Sequence, residues 1–211
     1  MLRAIVAGFL LVAIFAQNTF AAGWPMARGN AARSGYTSEA LPENLSIAWT
    51  YKANHAPAPA WPRDDRMQFD RAYHVVVANG TLFFGSSVDG KVYALDAATG
   101  REKWTFFTEG PVRFAPVVWK DRLFVGSDDG YLYCLSTADG SLIRKMRGGP
   151  QSDRVLGNGH IISRRPVRGG PVILDDILYF AAGIWQSEGV YLYAVNPGSG
   201  KVLWPNDSSG G

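Results

Sequence analysis

Val92-Tyr93-Ala94-Leu95-Asp96-Ala97-Ala98-Thr99-Gly100-Arg101-Glu102-Lys103-Trp104 decides the fold, because its pattern returns twice. Leu132-Tyr133-Cys134-Leu135-Ser136 is followed by Gly140, and Leu192-Tyr193-Ala194-Val195-Asn196 by Gly200 and Trp204. The glycine comes seven residues after the tyrosine in all three copies. Tyr93 and Tyr133 are 40 positions apart and Tyr133 and Tyr193 are 60, so the third copy carries about 20 extra residues ahead of it. A self-similar period near 40 residues is the mark of a repeat architecture.

Each copy reads as four strands, A to D. In the second copy A is 115–119, B is 123–126, C is 131–136 and D is 141–147, with Asp121, Asp129-Gly130 and Asp139-Gly140 at the turns, where left-handed backbone is tolerated. Apolar residues alternate along C, which buries one face. A four-stranded antiparallel sheet repeated in this way is a blade, so the expected fold is an all-β propeller with an incomplete ring. The expected blades are about 73–107, 114–147 and 170–204, within a partial propeller spanning 46–204. A lone outer strand is expected at 46–52, and insertions at 54–72 and 148–169. Residues 22–45 form a lead-in and 205–211 a tail. With only about three blades, the chain is expected to be a fragment or truncated product.

The remaining sequence agrees. Hydrophobic residues make 47 % and charged residues 18 %, enough apolar content for a core. The net charge of +3 is small and gives no reason to expect nucleic acid or an anionic membrane as partner. Arg3, the apolar run from Ala4 to Ala16 and the small residues up to Ala21 fit a secretory signal over 1–21. The run is too short for a good membrane span, so no span is expected after cleavage, and the expected location is the periplasm or cell envelope. Cys134 is the single cysteine. It occupies the small slot held by Ala94 and Ala194 and reads as a buried small hydrophobe.

Trp49, Trp104 and Trp204 are expected at the starts of D strands, each laid against an adjacent blade, with Gly100, Gly140 and Gly200 as the repeat's turn glycines. Arg144 replaces the tryptophan in the second copy, so a weaker contact is expected there. Tyr93-Ala94-Leu95-Asp96, Thr99-Gly100 and Trp104 together resemble the tryptophan-docking repeat of quinoprotein-like propellers. That family holds pyrroloquinoline quinone dehydrogenases and a non-enzymatic branch that serves outer-membrane protein assembly. Trp24-Pro25 to Gly29, with Ala32-Arg33-Ser34-Gly35-Tyr36, resembles the lead-in of the second branch. The likeness covers nearly all of 24–204, and it rests on packing residues, which define a fold more than an activity.

Catalytic motifs are sparse. Gly85 to Lys91 nearly spells a phosphate-binding loop, but Val92 stands where a hydroxyl should and a strand follows, so a hairpin turn is expected. His55, His74 and His160 lack metal-ligand spacing. The insertions say more. Both fall in D-to-A connections, which share one face of a propeller with the B-to-C loops. Seven basic residues lie between Arg144 and Arg168. Arg154, Asn158, His160, Arg164, Arg165 and Trp185 are therefore the candidate partner-binding residues, with Gly157-Asn158-Gly159-His160 expected to turn backbone amides toward a ligand. The function expected is that of an exported, non-catalytic scaffold binding an envelope protein, peptide or glycan through this face, without a cofactor. The alternative implied by the resemblance is a dehydrogenase fragment using pyrroloquinoline quinone and calcium.

Overall fold

The computed structural model describes residues 23–61, 70–157 and 159–209, with side chains to residue 206. The leader expected over 1–21 lies outside these residues. The structure is all-β. Three four-stranded antiparallel sheets follow one another along the chain, each ordered as its strands occur. The first holds β1 (Val75–Ala78), β2 (Thr81–Gly85), β3 (Lys91–Asp96) and β4 (Glu102–Phe107). The second holds β5 (Val117–Trp119), β6 (Arg122–Gly126), β7 (Tyr131–Ser136) and β8 (Leu142–Arg147). The hairpin β9 (Arg154–Gly157) and β10 (His160–Ser163) intervenes. β11 (Val172–Leu174), β12 (Ile177–Ala182), β13 (Val190–Val195) and β14 (Val202–Ser209) then form the third sheet.

The sheets are built to one register. Ala94 pairs with Trp104, Cys134 with Arg144 and Ala194 with Trp204, and a register shift follows at the next residue of the C strand in each. The shift bends the outer strand at the same place in every sheet. Gly100, Gly140 and Gly200, with φ of 71°, 73° and 77°, close the C-to-D turns in the left-handed conformation that glycine adopts without penalty.

Two apolar clusters hold the sheets together. Phe83, Val92, Trp104, Leu123, Val125 and Leu135 belong to the one between the first and second sheets. Phe124, Leu132, Cys134, Leu178, Phe180 and Val195 belong to the one between the second and third. Cys134 is buried as expected, and burial pushes its thiol pKa up, which disfavours the reactive thiolate. The lead-in ties the inner edges: Trp24 exchanges backbone hydrogen bonds with Val77 on β1, and Pro25 accepts one from Val118 on β5.

Residues 46–52 form no strand, in contrast to the lone outer strand expected there. A strand needs a hydrogen-bonded neighbour, and no described segment supplies one. Trp49 nevertheless reaches the first sheet, where its Nε1 donates to Ala97 O at 3.1 Å. The second insertion also differs from the reading of an open ligand loop. Gly157 pairs with His160, and β9 and β10 form a β-hairpin. Asn158-Gly159 is the strongest short hairpin signal, and it was legible in the sequence. Asn158 itself lies outside the described residues.

Candidate functional site

The B-to-C and D-to-A connections meet on one face, and a short repeat within them builds its floor. Pro111-Val112-Arg113 precedes β5 and Pro166-Val167-Arg168 precedes β11. Val112 N–H donates to Ser86 O at 3.1 Å, and Val167 N–H to Ser127 O at 3.0 Å. In return Asp128 N–H donates to Pro111 O at 2.8 Å, and Gly183 N–H to Pro166 O at 3.0 Å. The two segments are thus clamped alike on successive sheets, and Arg113 and Arg168 follow at the same step.

Both arginines converge on Asp128, which is 1 % exposed. Arg113 Nε reaches Oδ2 at 2.6 Å, while Arg168 Nε and Nη2 reach Oδ1 and Oδ2 at 2.6 and 2.7 Å. Arg113 Nη1 also donates to Ala58 O at 2.5 Å and to Asp70 Oδ2 at 3.1 Å. Asp70 accepts from the Ala60 amide at 2.9 Å. The first insertion is thereby fastened to the centre of the face. Charge-assisted bonds to both carboxylate oxygens offset the cost of burying the charge.

Above this network runs a cleft. A cavity of about 450 Å³ is lined by Trp61, Ile162, Arg164, Ile184, Trp185 and Glu188 among others. An adjoining cavity of about 300 Å³ shares Ala60, Trp61, Arg168 and Ile184 with it and adds Asp70 and Arg113. The rings of Trp61 and Trp185 meet edge to face, with centroids 5.4 Å apart and planes at 69°. Trp185 is 55 % exposed, in the B-to-C connection of the third sheet ahead of a short 3-10 turn, Gln186–Glu188. The cleft thus has apolar walls and an aromatic corner, with guanidinium groups in its floor and rim. Such a lining suits an amphipathic ligand.

The expected site residues are divided by the structure. Arg164 and Trp185 line the cleft together. Arg154 turns to Glu109, with Nη2 2.7 Å from Oε2. Arg165, with only 14 % of its side chain exposed, donates from Nε to Glu188 O at 2.8 Å and lies 6.0 Å from the Tyr191 ring. His160 begins β10 and is not among the lining residues. The basic run is largely paired: Lys145 and Arg154 with Glu109, Arg164 and Arg165 with Asp153, Arg168 with Asp128. Hydrogen bonds from Lys145 and Arg154 hold the Glu109 carboxyl below its usual range. Glu109 and Asp128 come from outside the run, so counting charges along it overstated the field of this face.

Residues that the sequence reading missed are Trp61, Arg113, Asp128 and Arg168. The repeated Pro-Val-Arg was the available signal for Arg113 and Arg168. Among the described residues no group of three or more His, Cys, Asp or Glu could hold a metal ion. Arg113 and Arg168 are already bonded to Asp128.

A sheet repeat docked by tryptophans onto turn glycines, with its loops gathered over one face, defines a quinoprotein-like β-propeller. The family described as outer membrane protein assembly factor BamB matches residues 46–211, and the chain belongs to it. It is 32 % identical over 80 residues to the outer membrane protein assembly factor BamB of Taylorella asinigenitalis, covering 36 % of this chain and 20 % of that one. It is 24 % identical over 157 residues to the quinoprotein ethanol dehydrogenase of Pseudomonas putida, covering 69 % and 25 %. The solved quinohemoprotein alcohol dehydrogenase of Comamonas testosteroni superposes with a TM-score of 0.65 at 20 % identity, over 89 % of this chain and 27 % of that one. The chain spans from 5 % to 25 % of the length of these and other curated relatives it matches.

Proposed function

We propose that this chain is part of a non-catalytic scaffold of the bacterial cell envelope, and that the loop face binds an envelope protein, peptide or glycan. The cleft cornered by Trp61 and Trp185 carries this reading, since an exposed aromatic corner over a fixed polar floor is a recognition surface. Membership in the assembly-factor family supports the envelope location, as does the apolar leader read from the sequence. Among the described residues no helix is long and apolar enough to cross a membrane.

The test is site-specific photo-crosslinking in a Gram-negative host, with a benzophenone amino acid at position 185 or, as control, at position 174, at the end of β11 beside the A-to-B turn of the third sheet. A discrete envelope adduct is expected from position 185 alone, and Trp61→Ala should abolish it. A cytoplasmic chain, or equal adducts from both positions, would overturn the proposal.

A further inference from the structure

We propose that a second pocket on the first sheet binds a neutral saccharide unit. The pocket encloses about 210 Å³ and shares no lining residue with the cleft, so it stands or falls independently of the function proposed above. Asn54 and His55 come from the first insertion, Ser86 and Asp89 from the B-to-C turn, and Lys91 and Tyr93 from β3.

Its wall is aromatic. Phe84 and Tyr93 stack with centroids 4.9 Å apart and planes within 8°. Tyr51 meets Phe84 edge-on at 5.3 Å, and Tyr73 lies 5.4 Å from it. Tyr51 is 39 % exposed, so part of this wall is open to a ligand. An aromatic ring offers an apolar surface that the C–H side of a pyranose can cover.

The polar groups carry both signs. Asp89 Oδ2 accepts the Tyr93 hydroxyl at 2.6 Å, and Oδ1 accepts the Lys91 amide at 3.2 Å. A carboxylate oxygen can accept twice, so acceptor capacity is left over. Burial works to raise the Asp89 pKa, but hydrogen bonds from Ser86, Tyr93 and the Lys91 amide outweigh it and keep the carboxyl lowered. Lys91 also lines the pocket, its ammonium 5.8 Å over the Tyr93 ring and 4.7 Å over that of Phe107. An anion entering here meets Asp89 and a cation meets Lys91. A neutral ligand whose hydroxyls both donate and accept can use both, together with the Asn54 carboxamide and His55 imidazole.

The pocket arises where the first copy departs from the repeat. The second copy has the same tyrosine–aspartate pair, Tyr133 Oη donating to Asp129 Oδ2 at 2.5 Å. There the aspartate is buried and also accepts the Glu109 amide at 3.0 Å, so the position is sealed. In the first copy the aspartate is exposed, and Tyr51 and Tyr73 stand beside it.

Saturation-transfer NMR on the full chain tests this with glucose, galactose, mannose and N-acetylglucosamine, and with acetate and tetramethylammonium as charged probes. At least one sugar should bind, and neither charged probe should. Tyr51→Ala and Asp89→Asn should each weaken binding about fivefold, the loss of one ring contact or one hydrogen bond. Tyr51→Phe should retain it, and so should Trp185→Ala in the cleft. No binding of any of the four sugars overturns the proposal. So does undiminished binding in folded Tyr51→Ala and Asp89→Asn variants, or binding of a charged probe as strong as that of the sugars.

Discussion

The indole of Trp104 lies directly on Gly140 of the next sheet. A Cβ at Gly140 would come within 2.5 Å of Trp104 Cε3, and the indole Nε1 donates to Thr137 O at 3.0 Å. Trp49 repeats this on Gly100, donating to Ala97 O, and Arg144 takes the same place on Gly200. Each sheet is therefore keyed to its successor by one large side chain on a bare turn. Trp204 is the next key in the series, and it is 49 % exposed where Trp104 is 8 %.

This asymmetry gives the first prediction. Trp104→Ala should destabilise the chain by about 3–5 kcal/mol, the range for removing a buried large aromatic. Gly140→Ala should cost at least about 1–3 kcal/mol from the left-handed backbone alone, before the displaced indole is counted. Trp204→Ala should change stability by about 0.5 kcal/mol, as exposed substitutions do. Urea denaturation of the three variants checks the order.

Arg144 is an imperfect key, and correcting it should stabilise the protein. Its Nη2 donates to Gly198 O at 2.5 Å, but Nη1 is buried without a hydrogen-bond partner. Arg122 also directs its guanidinium to Gly198 O. Pro197 stands three residues before Gly200, as Thr137 does before Gly140, so a tryptophan at 144 would find a carbonyl in the equivalent place. Arg144→Trp should raise stability by about 1 kcal/mol, the scale of an unsatisfied buried donor. A lower melting temperature in this variant would contradict the keying account.

Asp128 should be among the most sensitive positions on the loop face. Its removal leaves Arg113 and Arg168 facing one another without the charge between them. Asp128→Ala should cost about 3–5 kcal/mol, as expected when one partner of a buried ion pair is lost. Thermal unfolding measures the loss, and protease cleavage near Ala58 should increase because Arg113 also secures that carbonyl.

Glu109 should make stability weakly dependent on pH. Its pKa is lowered by hydrogen bonds from Lys145 and Arg154, so its contribution is present above the ordinary carboxylate range. That contribution is lost as pH falls through the lowered value. The pair is exposed, so solvent limits the effect to about 1 kcal/mol or less. The stability difference between wild type and Glu109→Gln should be visible at neutral pH and close at strongly acidic pH. A difference that grows on acidification would reverse the sign expected here.

The sequence by itself determined the repeat, and with it the sheet order, the C-to-D turns and the face on which the insertions gather. The reason is local. Tyr93, Gly100 and Trp104 are bound by strand alternation and turn geometry that act over a dozen residues, and the next copies repeat them. Burial of Cys134 followed in the same way from its slot between Ala94 and Ala194. Only the tertiary structure decided which charges are free. Glu109 neutralises Lys145 and Arg154 across 36 and 45 positions, and Asp128 holds Arg113 and Arg168 across 15 and 40. An ion pair depends on distance in space, which spacing along the chain does not encode. The aromatic corner has the same origin: Trp61 belongs to the first insertion and Trp185 to the B-to-C connection of the third sheet, and only the stacking of the sheets brings their rings together.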